Sequence, residues 1–110
     1  MPDPELLLPE LIRALPRRGS VVPAHCLDTP ACEVLFATAR AGARLPMHAH
    51  ETDNATVVVS GETVLTTADG EQRFGPGQWY ETRANEPHGV RFDVDTVQVE
   101  LRFAVSARNS

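Results

Sequence analysis

The chain has 110 residues, 42% of them hydrophobic and 23% charged, and fifteen acidic against ten basic side chains leave a net charge of −5. That length suits a single hydrophobic core rather than two domains, and no stretch approaches the roughly 20 apolar residues of a membrane helix. Without a run of Lys or Arg the surface is poorly built to displace the counterions of a phosphate backbone, which disfavours nucleic acid as a partner.

The opening, MPDPELLLPE, is acidic and proline-rich. It lacks the basic flank and continuous apolar run of a secretory signal, which implies a cytoplasmic protein. Asp3 reads as an N-cap with Pro4 at the first helical position. Leu7, Leu8, Leu11, Ile12 and Leu15 follow at spacings of three and four, predicting one short helix or two helical turns within an N-terminal segment 1–18. Pro9 weakens the middle and Pro16 stops the run. The leucine stripe must pack on the body of the domain or on a second subunit, and a homodimer is expected.

From residue 19 to 110 the texture is that of one β domain. ACEVLFATAR predicts a strand, after which Gly42 and Pro46 break the line. TVVVS and TVLTT flank Gly61 and read as a hairpin. ADG at 68–70 and GPG at 75–77 supply turns. In the last strand Val97, Val99, Leu101, Phe103 and Val105 alternate with Gln98, Glu100, Arg102 and Ala104, so one face should be buried and the other wetter. Short strands with regularly spaced turns predict an all-β, antiparallel sandwich or barrel. Cys26 and Cys32 match no metal or redox spacing and are expected to be free.

GARLPMHAHETDNATVVVSGE, residues 42–62, carries two of the four histidines one residue apart. On a continuous strand His48 and His50 project to the same side, and position 54 shares their parity. Imidazoles aimed together into a barrel need hydrogen-bond partners or a metal ion. A third histidine, His88, follows another apolar strand in NEPHGVRF. Glu51 and Asp53 should point away from the histidines and be solvated. His25 and the arginines Arg40, Arg44 and Arg83 default to the surface, with Arg83, just before His88, the best placed to meet an anionic substrate. Trp79 and Tyr80 are neighbours on the strand leading to His88, so one of them should face the interior as core or as a pocket wall.

These residues resemble the cupins. The family's first motif, G-x5-H-x-H-x3-E-x6-G, finds Gly42, His48, His50 and Gly61 in place, with Asn54 where Glu is usual. Its second, G-x5-P-x-G-x2-H-x3-N, finds Gly77 and His88, with Arg83, Asn85 and Phe92 at the Pro, Gly and Asn positions. Asn85 in place of Gly is mild, since Asn tolerates a left-handed backbone. The resemblance implies a small jelly-roll barrel with a metal site inside its mouth. It also implies that His48, His50 and His88 hold one divalent first-row transition metal, Fe, Mn, Ni or Zn, and that small cupins pair through strands away from that site. Asn54 would be a weak fourth ligand or a hydrogen-bonding neighbour, leaving a coordination position open for water, substrate or dioxygen. Three functions stay open: a metal-dependent enzyme (dioxygenase, isomerase or lyase) on a small organic molecule, a small-ligand or metal-sensing module, and a barrel with a disused site.

Overall fold

The structure, a computed structural model, describes residues 3–105. The N-terminal signals resolve into two separate turns. Pro4–Leu7 forms a 3-10 turn, with the Asp3 carboxylate accepting the Glu5 N–H at 3.0 Å, and Glu10–Arg13 forms one turn of α-helix, α1. Pro9, which cannot donate to a helical ladder, separates them. The stripe is therefore not one continuous face. Leu8 is buried, while Leu7 and Leu11 are 68% and 86% exposed.

Ten strands follow in two antiparallel sheets. The strands are β1 (Arg17–Arg18), β2 (Ala24–Asp28), β3 (Glu33–Ala39), β4 (Arg44–His48), β5 (Thr52–Ser60), β6 (Thr63–Thr67), β7 (Gly70–Phe74), β8 (Trp79–Thr82), β9 (His88–Arg91) and β10 (Thr96–Ala104). One sheet runs β1-β2-β3-β10-β5-β8 and the other β4-β9-β6-β7. β6 and β7 form a hairpin closed by Ala68 and Asp69, as the Asp-Gly signal predicted.

The expected hairpin at Gly61 is instead a crossing between sheets. β5 pairs with β10 and β8, whereas β6 pairs with β7 and β9. The apolar pattern is the same for both arrangements, because each strand has an inward face in either case. At this corner the chain passes against Asp95 and Thr96, and only a residue without a side chain fits. Gly61 has φ +85°, and a Cβ there would lie 2.3 Å from the Asp95 carbonyl oxygen. The Thr96 hydroxyl ties the corner down, accepting the Glu62 N–H at 3.1 Å and donating to the Glu62 carbonyl at 3.0 Å.

Cross-strand register arranges the inner face of the larger sheet in rows, since residues directly opposite share a face. The row nearest the barrel mouth is Glu33, Arg102, Asn54 and Thr82, and the next is Leu35, Glu100, Thr56 and Tyr80. Deeper still lie Ala37, Gln98 and Val58. Polarity thus rises toward the mouth, while Val58, Leu65 and Tyr80 pack with Phe74 and Val90 into the apolar core. The Tyr80 and Thr63 hydroxyls both donate to the Gln98 side-chain oxygen, at 3.0 and 2.8 Å, which satisfies that buried amide oxygen.

This register reverses the expected sides of the last strand. Gln98, Glu100 and Arg102 line the interior, and Val99 and Leu101 face outward, opposite Phe36 and Val34 on β3 and Val57 and Ala55 on β5. The interior near the mouth houses a site and needs polar groups. The apolar side of β10 is covered in part by the N-terminal 3-10 turn, which rests on β3 and β10. Leu27 and Trp79 lie at the open margins of that outer face, both exposed. No helix among the described residues is long and apolar enough to cross a membrane.

Candidate metal centre

β4 ends on His48 and β9 begins on His88, and the two are direct partners across the smaller sheet. His50 is not on a continuous strand with His48, as pleating alone predicted. It sits on the link between β4 and β5, so its approach to His48 is set by the turn rather than by strand alternation. The link is held from the opposite loop, where the Asn85 N–H donates to the His50 carbonyl at 2.6 Å. Asn85 makes that bond from a left-handed backbone, φ 64°, the conformation its motif position requires. We expect Asn85→Gly to be tolerated and Asn85→Val, with a β-branched side chain at positive φ, to cost about 2 kcal/mol in chemical denaturation.

The three rings converge. Their centroids are 4.4 to 5.3 Å apart, and the potential ligand nitrogens lie within 4.8 Å of one another. His48 Nδ1 donates to the Pro46 carbonyl at 2.8 Å and His88 Nδ1 to the Glu86 carbonyl at 3.0 Å. Each bond fixes a tautomer that leaves Nε2 with a free lone pair, the arrangement typical of ligating histidine. His48 Nε2 and His50 Nε2 are 3.1 Å apart. A single shared proton satisfies that pair. A divalent ion in its place would find two nitrogens spaced as bonds of about 2.1 Å require at an angle of about 95°. The donor set fits a first-row transition metal.

Burial lowers the His50 pKa below the usual histidine value, and the positive charge of Arg102 adds to the effect. The folded state therefore disfavours the His50 imidazolium relative to the unfolded chain. The resulting stabilisation is complete above the unfolded pKa of about 6.5 and is lost as pH falls through the lower folded value. Metal retention falls in the same direction, because protons compete for the same lone pairs. Thermal melts of chelated and metal-loaded protein between pH 7.5 and 4.5 (roughly the range spanning that pKa) should converge at the acid end.

Asn54 is 3% exposed and shares its face with Thr82 and Arg102. Its Oδ1 accepts the Thr52 hydroxyl at 2.7 Å, while its Nδ2 has no hydrogen-bond partner among the described residues. Leaving a buried amide donor unpaired costs about 1–3 kcal/mol, which marks the position as awaiting an acceptor.

The inner cavity, about 100 Å³, is lined by the three histidines together with Tyr80, Thr82 and Glu100 among others. It adjoins a groove of about 510 Å³ at the mouth, walled by the β2–β3 loop and the Ala49–Thr52 link, with His50 and Arg102 bordering both. Of the adjacent aromatic residues Tyr80 lines the cavity, and Trp79 is exposed outside it. Burial raises the Tyr80 pKa well above the usual phenol value, so its hydroxyl keeps its proton. Arg83 pairs with Glu81 at 2.9 Å and does not line the cavity. Arg40 pairs with Asp3, and Arg44 lies on the outside of the smaller sheet.

Two expectations of exposure are corrected. Asp53 is buried, its Oδ1 accepting the Ala84 N–H at 2.9 Å, because it braces the loop before His88. His25 is also buried, with Nδ1 3.0 Å from the Leu15 carbonyl and Nε2 2.9 Å from Glu5, where it anchors the N-terminal segment far from the other histidines. Glu51 is exposed at the mouth as expected, and both cysteines are free. Sequence reasoning missed Thr82, Gln98, Glu100 and Arg102. The signal for Gln98, Glu100 and Arg102 was polar alternation along β10, which was read as the wetter face.

Two antiparallel sheets closed into a barrel, with three imidazoles gathered at its mouth, define a β-barrel of the jelly-roll type with a histidine cluster that could hold a metal ion. Residues 35–105 match the cupin domain family, and the chain belongs to it. No curated protein matches the chain. Among solved structures, an RmlC-like cupin from Shewanella frigidimarina superposes with a TM-score of 0.74 at 14% identity, covering 89% of this chain and 91% of its own. The DMSP lyase DddQ from Ruegeria pomeroyi gives 0.75 at 17% identity over 84% of this chain and 58% of its own. KdgF from a Halomonas species gives 0.71 at 20% identity over 83% and 87%. At these identities the likeness is one of fold.

Proposed function

We propose that this cupin is a metal-dependent enzyme acting on a small organic molecule, with His48, His50 and His88 holding one divalent first-row transition metal. The observation that carries the reading is the pair of carbonyl-locked tautomers, at His48 and His88, whose Nε2 lone pairs meet His50 beside a groove of small-molecule size. Such an ion supplies a Lewis acid for a carbonyl or carboxylate oxygen and, if it is iron, a centre for dioxygen chemistry. The chain supplies the rest. Glu100 is the carboxylate that lines the inner cavity, within reach to take and return a proton, and it is held by Arg102 Nε at 2.8 Å. Tyr80 stays protonated and orients Gln98. A carboxylate for proton transfer favours isomerase- or lyase-type chemistry over oxygen insertion. The lyase among the structural neighbours is in keeping with that choice.

Mass-spectrometric profiling of a metabolite mixture incubated with metal-loaded protein tests the reading. We expect one small molecule to be consumed over many turnovers by the wild type, and not by His48→Ala or Glu100→Gln. A compound bound one-to-one but never consumed would make the chain a sensing module instead.

The reading includes a homodimer. Apolar residues predominate in the outer rows of the larger sheet, Leu27 and Trp79 are exposed at its margins, and Leu7 and Leu11 are exposed on the N-terminal turns, a concentration that a monomer rarely leaves in water. A second copy seated there would leave both barrel mouths free. Sedimentation equilibrium at micromolar concentration should give twice the mass of one chain, and Leu11→Glu with Trp79→Glu should give the single-chain mass. A monomeric wild type would rule the dimer out.

A further inference from the structure

We infer that Asn54 and Arg102 form a recognition wall for a carboxylate, so that the small molecule taken by this site is an organic acid anion. The inference rests on the catalytic reading above and names its substrate class. Three observations carry it. The Asn54 Nδ2 is buried, has no hydrogen-bond partner among the described residues, and lies in the inward-facing row between Arg102 and Thr82, the two members of that row that line the inner cavity. Its neighbour in that row, Arg102, borders both the inner cavity and the mouth groove, where an entering ligand must pass. Arg102 spends its Nε on Glu100 at 2.8 Å, and its Nη1 is 3.9 Å from Glu33, leaving Nη2 without a partner among the described residues.

The result is a guanidinium that is held by Glu100 and keeps one donor free, beside a neutral amide donor without an acceptor, on the sheet that faces the three imidazoles. Carboxylate oxygens complement that combination, since a guanidinium presents donors in a fork that matches them. An uncharged carbonyl could satisfy Asn54 or the free Nη2 of Arg102, but it brings no charge to strengthen the bond to the guanidinium.

Propionate and its uncharged counterpart propionamide serve as probes, their binding read by NMR titration on zinc-loaded and on chelated protein. We expect propionate to bind about 10-fold or more tightly than propionamide, as charged hydrogen bonds outweigh neutral ones. Arg102→Gln should lose that margin, Arg102→Lys should keep part of it, and Asn54→Leu should weaken propionate about 3- to 10-fold, the range of one neutral hydrogen bond. Circular dichroism of each variant establishes that it folds, and Asn54→Leu leaves the Glu33 and Glu100 contacts of Arg102 untouched. Equal binding of the two probes, or propionate affinity unchanged in folded Arg102→Gln and Asn54→Leu, would overturn the inference. Loss of zinc from Asn54→Leu would make Asn54 a ligand and overturn its part in the wall. Should the wild type bind no metal at all, the catalytic reading fails while the propionate margin on chelated protein still decides this one.

Discussion

Replacing His48, His50 or His88 with alanine should lower metal affinity by about 100-fold or more, exceeding the 10–100-fold typical of losing only a residue that orients a ligand. The three are expected to act nearly alike, because each supplies one of the converging nitrogens and no other His, Cys, Asp or Glu among the described residues joins the cluster. Metal content after dialysis against a dilute chelator reads the effect directly. His25→Ala should keep its metal, since its ring is engaged by Leu15 and Glu5 on the outer side of the larger sheet. Asn54→Ala should also keep most of it, whereas Asn54→Glu should hold it more tightly, by offering a carboxylate where the family usually has one. If the wall inferred above is right, that tighter site binds an anion worse. Equal metal content in the wild type and all three histidine variants would mean that the cluster is not the site.

Gly61→Ala should be the most damaging single methyl group one can add to this chain. The new Cβ would stand 2.3 Å from the Asp95 carbonyl oxygen and 2.5 Å from the Thr96 hydroxyl, on a backbone at φ +85°. Neither neighbour can yield cheaply, since one is backbone and the other is the 1% exposed residue that fastens the corner. Strain of the left-handed conformation adds to the overlap. We expect a loss of about 3–4 kcal/mol, which for a chain of this size lowers the melting temperature by roughly 12–25 °C. Gly42→Ala is the internal comparison. It shares a positive φ of 92° but has nothing within 4 Å of the added carbon, so it isolates the cost of the backbone alone. Similar melting temperatures for the two variants would show that the crossing is looser than the structure has it.

The contrast between these glycines also explains what could be read from the sequence. Turn glycines, the N-cap at Asp3 and the period-two alternation of β10 are local signals, and the turns, the cap and the strand are where they placed them. Which strands pair is not local. β5 and β6 look like a hairpin because both are apolar and a glycine lies between them, and only the packing of Thr96 against Gly61 sends them into different sheets. The sides of β10 failed for a related reason. Alternation identifies two faces but not which one a barrel encloses, and a barrel that houses a polar site turns its charged face inward. His48, His50 and His88 were legible because their spacing matches a motif. Arg102 and Glu100 were not, since a charge on a strand ordinarily means solvent. Asp53 and His25, both expected at the surface, are buried because each ties down a segment that the sequence gives no reason to place.

X-ray absorption spectroscopy of the freshly purified protein tests the metal centre most directly, since it reports the element and its ligands together. The account predicts one first-row transition metal per chain, with the scattering of three imidazoles at about 2.0–2.2 Å and the remaining positions filled by oxygen. Metal at background level, or a centre with fewer than three imidazoles or with sulfur from Cys26 or Cys32, would contradict it.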